Sequence, residues 1–117
     1  MKLSIPLKPL SVNVAFQGRR FKTPAYKQYE KDITKLLGRA REKPIEGELY
    51  VCYSFYLKNY ALTDTGNLEK LLTDTLVALG YIKDDRYIKK LVMEKYRAKQ
   101  DSIEVKIYPF DASFGIF

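Results

Sequence analysis

The sequence predicts an α+β fold in which a small mixed β-sheet has two main helices packed against it. Apolar residues alternate with others near the beginning, in the middle and towards the end of the chain, the period of strands. Two intervening segments have helical periodicity and are bounded by cap and breaker residues. No internal repeat, low-complexity tract or Gly/Ser linker divides the chain, so one domain over residues 1–117 is expected.

Taken in order, Leu3, Ile5 and Leu7 alternate and predict a short first strand ended by Pro9. Phe16 to Phe21 reads as a tight turn between two short arms, with Gly18 supplying the unusual backbone angles. Thr23 is the expected N-cap of a first helix, with Pro24 at its first position. That helix is expected to run to about Ala40, with Tyr26, Tyr29, Ile33, Leu36 and Leu37 facing inward. Pro44 and Gly47 then break the chain. From Glu48 to Leu57 the period becomes two: Leu49, Val51, Tyr53, Phe55 and Leu57 share one face, and Tyr50, Cys52 and Tyr56 the other. Apolar residues on both faces predict a central strand covered on both sides. A loop from Lys58 to Thr65 leads into a second helix, expected from Gly66 to Leu79 and closed by Gly80. Two further strands are expected near Ile88 to Ala98 and Ser102 to Tyr108, before a tail, Pro109 to Phe117, with no regular period.

Composition narrows the chemistry. There is no histidine and a single cysteine, Cys52, read as a small core residue. Cys/His zinc sites, a Ser/His/Asp triad, a Cys/His pair and a histidine base therefore lack their parts. Hydrolytic chemistry is left to carboxylates, lysine, tyrosine and a hard metal ion. Lys+Arg number 21 against 14 Asp+Glu, a net charge of +7, which favours polyanionic partners. No long apolar run and no signal peptide is read, so a soluble, cytoplasmic protein with no membrane partner is expected.

The second helix separates its faces. Leu68, Leu72, Leu76 and Leu79 fall in one apolar sector, while Asn67, Lys70 and Asp74 fall together on a different side. Asp64 precedes the helix, where a carboxylate caps free N–H groups. By itself this also describes a capped helix with a solvated Lys70–Asp74 pair. Beyond Gly80, however, a short apolar step leads to Asp84 and Asp85. Carboxylates before and after one helix offer oxygens from separate elements, the kind of donor Mg²⁺ takes alongside water and substrate phosphate. In phosphodiester cleavage such a metal activates water, and a nearby lysine offsets charge on the phosphoryl oxygens.

At these residues the chain resembles the RusA family of Holliday junction resolvases. The resemblance rests on Asp64-x-x-Asn67-Leu68-x-Lys70, Asp74-x-Leu76 and Gly80-Tyr-Ile-Lys-Asp-Asp85. Upstream, Pro6, Pro9 to Asn13, Gly18-Arg19-Arg20, Thr23-Pro24 and Tyr26 agree with the family's opening pattern. It implies a RusA-like fold and a Mg²⁺-dependent homodimer that binds branched DNA, namely four-way junctions, and nicks two strands symmetrically. It also implies that Asp64 and Asp85 are metal-binding aspartates, that Lys70 is the essential lysine and that Asn67 supports the site.

One departure matters. The family pattern is Asp-x-Asp-Asn, and Gly66 stands where the second aspartate would be. Three readings stay open: Asp74 supplies the missing oxygen, Asp84 or water does so, or the protein binds junctions without cutting them well. The expected catalytic residues are thus Asp64, Lys70 and Asp85, and the expected metal ligands Asp64, Asp74, Asp84 and Asp85. Arg19, Arg20, Lys22, Lys89 and Lys90 are the expected DNA grip, with Lys95, Arg97 and Lys99 farther along the same strand. Phe16, Phe21 and Tyr26 are candidates either for stacking on exposed bases or for the core. The competing functional reading is a non-catalytic α+β module that binds branched DNA or RNA.

Overall fold

The computed structural model describes residues 1–17 and 21–111. Its elements in chain order are β1 (Lys2–Ile5), α1 (Val12–Ala15), β2 (Phe16–Gln17), β3 (Phe21–Lys22), α2 (Pro24–Leu37), β4 (Leu49–Leu57), α3 (Glu69–Ala78), β5 (Ile88–Arg97) and β6 (Ser102–Pro109). The arms β2 and β3 pair antiparallel, as expected; Gly18, Arg19 and Arg20 at the turn lie outside the described residues. A four-stranded sheet runs in the order β1-β6-β4-β5. The β4–β5 pair is parallel and the others antiparallel, so the sheet is mixed and the fold class is α+β. A parallel pair requires a crossover, and α3 provides it.

The register assigns every strand residue to a face. Val51, Tyr53 and Phe55 are fully buried, together with their β6 partners Ile107, Val105 and Ile103 and with Ile5 of β1. Tyr26, Tyr29 and Ile33 of α2 and Leu68, Leu71, Leu72 and Leu76 at α3 belong to the same buried cluster. The expected apolar sector of α3 is therefore observed, and Leu71 widens it.

The opposite face corrects the expectation of a strand covered on both sides. Tyr50, Cys52, Ser54 and Tyr56 are only half-buried, beside Lys90, Val92, Glu94 and Tyr96 of β5. Cys52 is accordingly not a core residue. Tyrosines suit a pleated, half-wet surface because neighbours along and across strands shelter their rings, as in the Tyr56–Tyr96 stack at 5.2 Å. Among the described residues, an apolar letter pattern thus arose without a second layer on that face.

Local chemistry sets the helix ends. Thr23 Oγ1 accepts from the Tyr26 N–H at 3.3 Å and donates to Val14 O at 2.7 Å, tying the α2 start to α1. The helix stops at Leu37, three residues short of Ala40, because Gly38 turns the chain with φ 68° and donates its N–H to Thr34 O. Leu36, expected inside, is 47% exposed, and Leu37 makes the last turn's contact with the core. A buried polar chain joins β4 to α3: Tyr53 Oη lies 2.7 Å from Thr73 Oγ1, which donates to Glu69 Oε1 at 2.9 Å. Since the one threonine proton goes to the carboxylate, Tyr53 is the donor to Thr73. Among the described residues no helix is long and apolar enough to cross a membrane.

Candidate active site

Of the proposed catalytic and metal-binding residues, Asp64 lies on the loop before α3, Lys70 and Asp74 on α3 itself, and Asp84 and Asp85 on the loop after it. At the entrance, residues 58–68 leave the carboxyl end of β4. The Lys58 N–H donates to Asp101 Oδ1 at 3.0 Å, and a single 3-10 turn follows at Tyr60–Leu62. Thr63 Oγ1 donates to Asn59 O at 2.9 Å. Asp64 then has extended backbone (φ −99°, ψ 118°), and its Oδ1 accepts the Gly66 N–H at 2.9 Å. It caps a 3-10 turn, Thr65–Asn67, and not α3, which begins at Glu69 where Gly66 was expected, so Asn67 precedes the helix that carries Lys70 and Asp74. The Asn67 N–H donates to Asp64 O at 3.1 Å, and Leu68 plugs into the core. Asp64 is exposed and Asn67 half-buried. Both border a groove of about 540 Å³ walled by Leu7, Leu10, Asn13 and Leu62.

The entrance loop has one more support. Lys95 of β5 donates from Nζ to Tyr60 O at 2.9 Å and to Thr63 O at 3.0 Å. The same ammonium lies 4.2 Å from the centre of the Tyr60 ring, and the Arg97 guanidinium 4.3 Å from it.

Along α3, Lys70 and Asp74 pair at 3.4 Å, both substantially exposed. An exposed i,i+4 pair contributes only a few tenths of a kcal/mol, so Lys70 is free to turn towards a phosphate at little cost.

At the exit, Gly80 takes φ 86° and reverses the chain. Tyr81 and Ile82 are buried, and the Tyr81 hydroxyl lies 2.9 Å from Leu37 O and 3.0 Å from Gly38 O, satisfying carbonyls at the end of α2. Asp84 starts a further 3-10 turn, Asp85–Tyr87, and accepts the Arg86 N–H at 3.0 Å. That N–H, with help from the Asp85 side chain and the Arg86 charge, holds the Asp84 carboxyl below its ordinary range. Asp74, Val77, Ala78, Asp84 and Asp85 line a separate hollow of about 380 Å³.

The structure therefore groups Asp64 with Asn67 before α3, and Asp74, midway along α3, with Asp84 and Asp85 beyond its end. Ten residues of helix span about 15 Å. Among the described residues no three carboxylates, cysteines or histidines come close enough to form a ready metal cage. The donor chemistry, hard carboxylate oxygen without histidine, fits Mg²⁺, which commonly takes one or two carboxylates and completes its shell with water and substrate phosphate. A multidentate, all-protein site does not fit. At Gly66 an added Cβ would stand 3.3 Å from Asp64 Oδ1, so a carboxylate there would crowd directly against Asp64.

The basic residues divide similarly. Lys22 pairs with Glu30 at 3.0 Å and lies 4.8 Å from the centre of the Tyr26 ring. Lys89 pairs with Glu48 at 3.5 Å, and Lys90 lies beside Tyr50 on the open sheet face. Tyr26 is 3% exposed and belongs to the core, which removes it as a base-stacking candidate. Lys95, counted in the sequence with the DNA-facing lysines, instead has two backbone carbonyls as partners. Its contact with the entrance loop and the Tyr53–Thr73–Glu69 chain carry no local sequence signal, because each joins residues far apart in the chain.

Compared with known proteins, residues 8–108 match the family described as Endodeoxyribonuclease RusA. Comparison with individually curated proteins gives no match.

Proposed function

We propose that this chain, which belongs to the RusA family of endodeoxyribonucleases, is a Mg²⁺-dependent, structure-selective nuclease that resolves Holliday junctions by paired symmetric nicks. The observation that carries this reading is the family match over residues 8–108, which encloses every proposed site residue from Arg19 to Lys90. Membership implies junction resolution. The metal, the paired nicks and the residue roles are our reading of this chain.

In that reading Asp64 and Asp85 would be Mg²⁺-binding aspartates, each leaving water and substrate phosphate to complete its ion's shell because α3 stands between them. Asp74 or Asp84, beside Asp85, would take the place of the carboxylate absent at Gly66. When bound, the metal would activate water and offset charge on the phosphate. Lys70, tethered only by its exposed pair with Asp74, turns to the scissile phosphate and stabilises the charge that gathers on its oxygens. Asn67, half-buried beside Asp64, orients that carboxylate's surroundings. Lys22, Lys89 and Lys90, with Arg19 and Arg20, contact phosphates without reading sequence. Two strands nicked symmetrically in a two-fold junction suit a homodimer.

Gly66, together with the placement of the carboxylates at opposite ends of α3, favours a second reading: the chain binds four-way junctions and cuts them poorly. One experiment separates the two. A synthetic four-way junction and a linear duplex are incubated with the protein, with and without Mg²⁺. Cleavage of the junction that needs Mg²⁺ and is lost in Asp64→Asn and Asp85→Asn supports the nuclease reading. Junction binding without cleavage supports the second. Asp64→Asn and Asp85→Asn proteins that cut as fast as the parent overturn the assignment of the site.

A further inference from the structure

We propose that Lys95 is a positioning residue that holds Asp64 in place: its ammonium clamps the Tyr60 and Thr63 carbonyl oxygens against the end of β5. The proposal rests on the nuclease reading for its functional consequence, but the clamp itself is visible in the geometry. Thr63 O belongs to the same rigid peptide plane as the Asp64 N–H. A hydrogen bond of 3.0 Å at that oxygen therefore fixes the plane from which Asp64 departs. The second bond, 2.9 Å to Tyr60 O, lies at the start of the preceding turn, so the two bonds span the segment that delivers Asp64.

The charge state matters to this contact. An ammonium carries three donors and no acceptor, and a bond from a charged donor to a carbonyl is about twice as strong as a neutral one. The Tyr60 ring adds a face for the cation, which lies 4.2 Å from its centre, and Arg97, two residues further along the same strand, covers the same ring. Lys95 is also half-buried, unlike the exposed Lys89. Two of the three donors are committed to the Tyr60 and Thr63 carbonyls, which ties the ammonium to the loop; a role in DNA affinity and a role in holding the loop therefore make different predictions.

Two substitutions test it in the full-length chain: Lys95→Met, which keeps a long stem without charge, and Lys95→Arg, which keeps the charge and the donors. Three quantities are measured: the single-turnover cleavage rate on a saturating four-way junction, the dissociation constant for that junction in Ca²⁺, and backbone amide exchange across residues 59–68. The clamp predicts that Lys95→Met slows cleavage about 10- to 100-fold, the usual effect of removing a partner that orients a site residue, with junction affinity unchanged. Lys95→Arg recovers most of the rate. The Thr63, Asn67 and Leu68 amides, hydrogen-bonded within the loop, exchange faster in Lys95→Met while the Val51, Tyr53 and Phe55 amides of β4 do not. Affinity that falls in step with the rate would make Lys95 a DNA contact and overturn the proposal. So would unchanged exchange in the loop. If exchange in β4 rises as well, the substitution has loosened the whole fold; Tyr60→Leu, which removes only the ring, must then give the local exchange pattern or the clamp is rejected. If the parent protein cuts no junction, the nuclease reading fails, and the exchange data alone decide whether Lys95 holds the loop.

Discussion

The two ends of α3 are built from different materials. At the exit, Tyr81 and Ile82 are driven into the core, the Tyr81 hydroxyl satisfies the last carbonyls of α2, and Asp84 and Asp85 follow from that anchored turn. At the entrance, the residues from Lys58 to Asn67 bury no side chain, and Leu62 is 88% exposed. That loop is held by polar contacts instead: Asp101 at its start, Lys95 in its middle and the Asp64 carboxylate on the Gly66 N–H. Apolar burial fixes a carboxylate with free energy that scales with area. Charged and backbone hydrogen bonds fix one with geometry, each contributing little net stability. Loosening the exit should therefore cost the fold first, and loosening the entrance should leave the fold and disturb Asp64.

The largest effect that can break this contrast is on stability. Ile82→Ala removes a fully buried side chain at the exit and should cost about 2–5 kcal/mol in urea denaturation. Leu62→Ala at the entrance should stay within about 0.5 kcal/mol of the parent. Comparable losses at the two positions would end the distinction.

A smaller effect sharpens it from the side of function. Gly66 has an ordinary backbone conformation that admits a side chain, and a Cβ there faces Asp64 Oδ1 at 3.3 Å. Gly66→Asp should lower the Mg²⁺ concentration for half-maximal junction cleavage on the order of tenfold, the effect of one added anionic ligand worth about 1.4 kcal/mol. An unchanged or higher Mg²⁺ requirement would mean that Asp64 does not bind the metal, or that its carboxylate cannot yield the required few tenths of an ångström.

The smallest effect concerns acid. The Asp84 carboxyl is held below its ordinary value of 3.8, first by the Arg86 N–H. Its contribution to stability is thus present above that value and lost as pH falls through the lower folded value. Urea midpoints between neutrality and strong acid should fall less steeply for Asp84→Asn, which keeps the turn's acceptor but cannot titrate. Identical slopes would show that the turn does not depend on that charge.

What the sequence revealed follows the same division. Leu68, Leu72, Leu76 and Leu79 announced the buried side of α3, and Thr23-Pro24 announced the start of α2, because burial and capping leave periodic or local traces. The mixed sheet, the hairpin arms and the order of the longer elements were legible for that reason; the one-turn α1, too short to show a period, was not. The end of α2 was misplaced because Gly38 looked like an interior residue, although a glycine near a helix end often takes positive φ. Covering layers were over-counted at β4, where Tyr50 and Tyr56 read as apolar but lie on an open face. Asp64, Lys70 and Asp85 drew attention through their motif and spacing, and the spacing said nothing of the length of α3 standing between the first and the last. Lys95 was read by its charge. Its partners, Tyr60 and Thr63, lie more than thirty positions upstream, and no periodicity connects them.

Leucines alone leave a helix free to roll. Their contacts are nearly isotropic, so a small rotation of α3 on the sheet would exchange one greasy neighbour for another at modest cost. The Tyr53–Thr73–Glu69 relay removes that freedom, since a hydroxyl donor on the central strand meets its acceptor at only one azimuth of the helix. It works as a keyway: the azimuth it sets is also the bearing of Lys70 and Asp74, whose heads point outward from the same cylinder. Aim on the solvent side of α3 is thus decided by two buried hydroxyl groups, one on the helix and one on the strand beneath it.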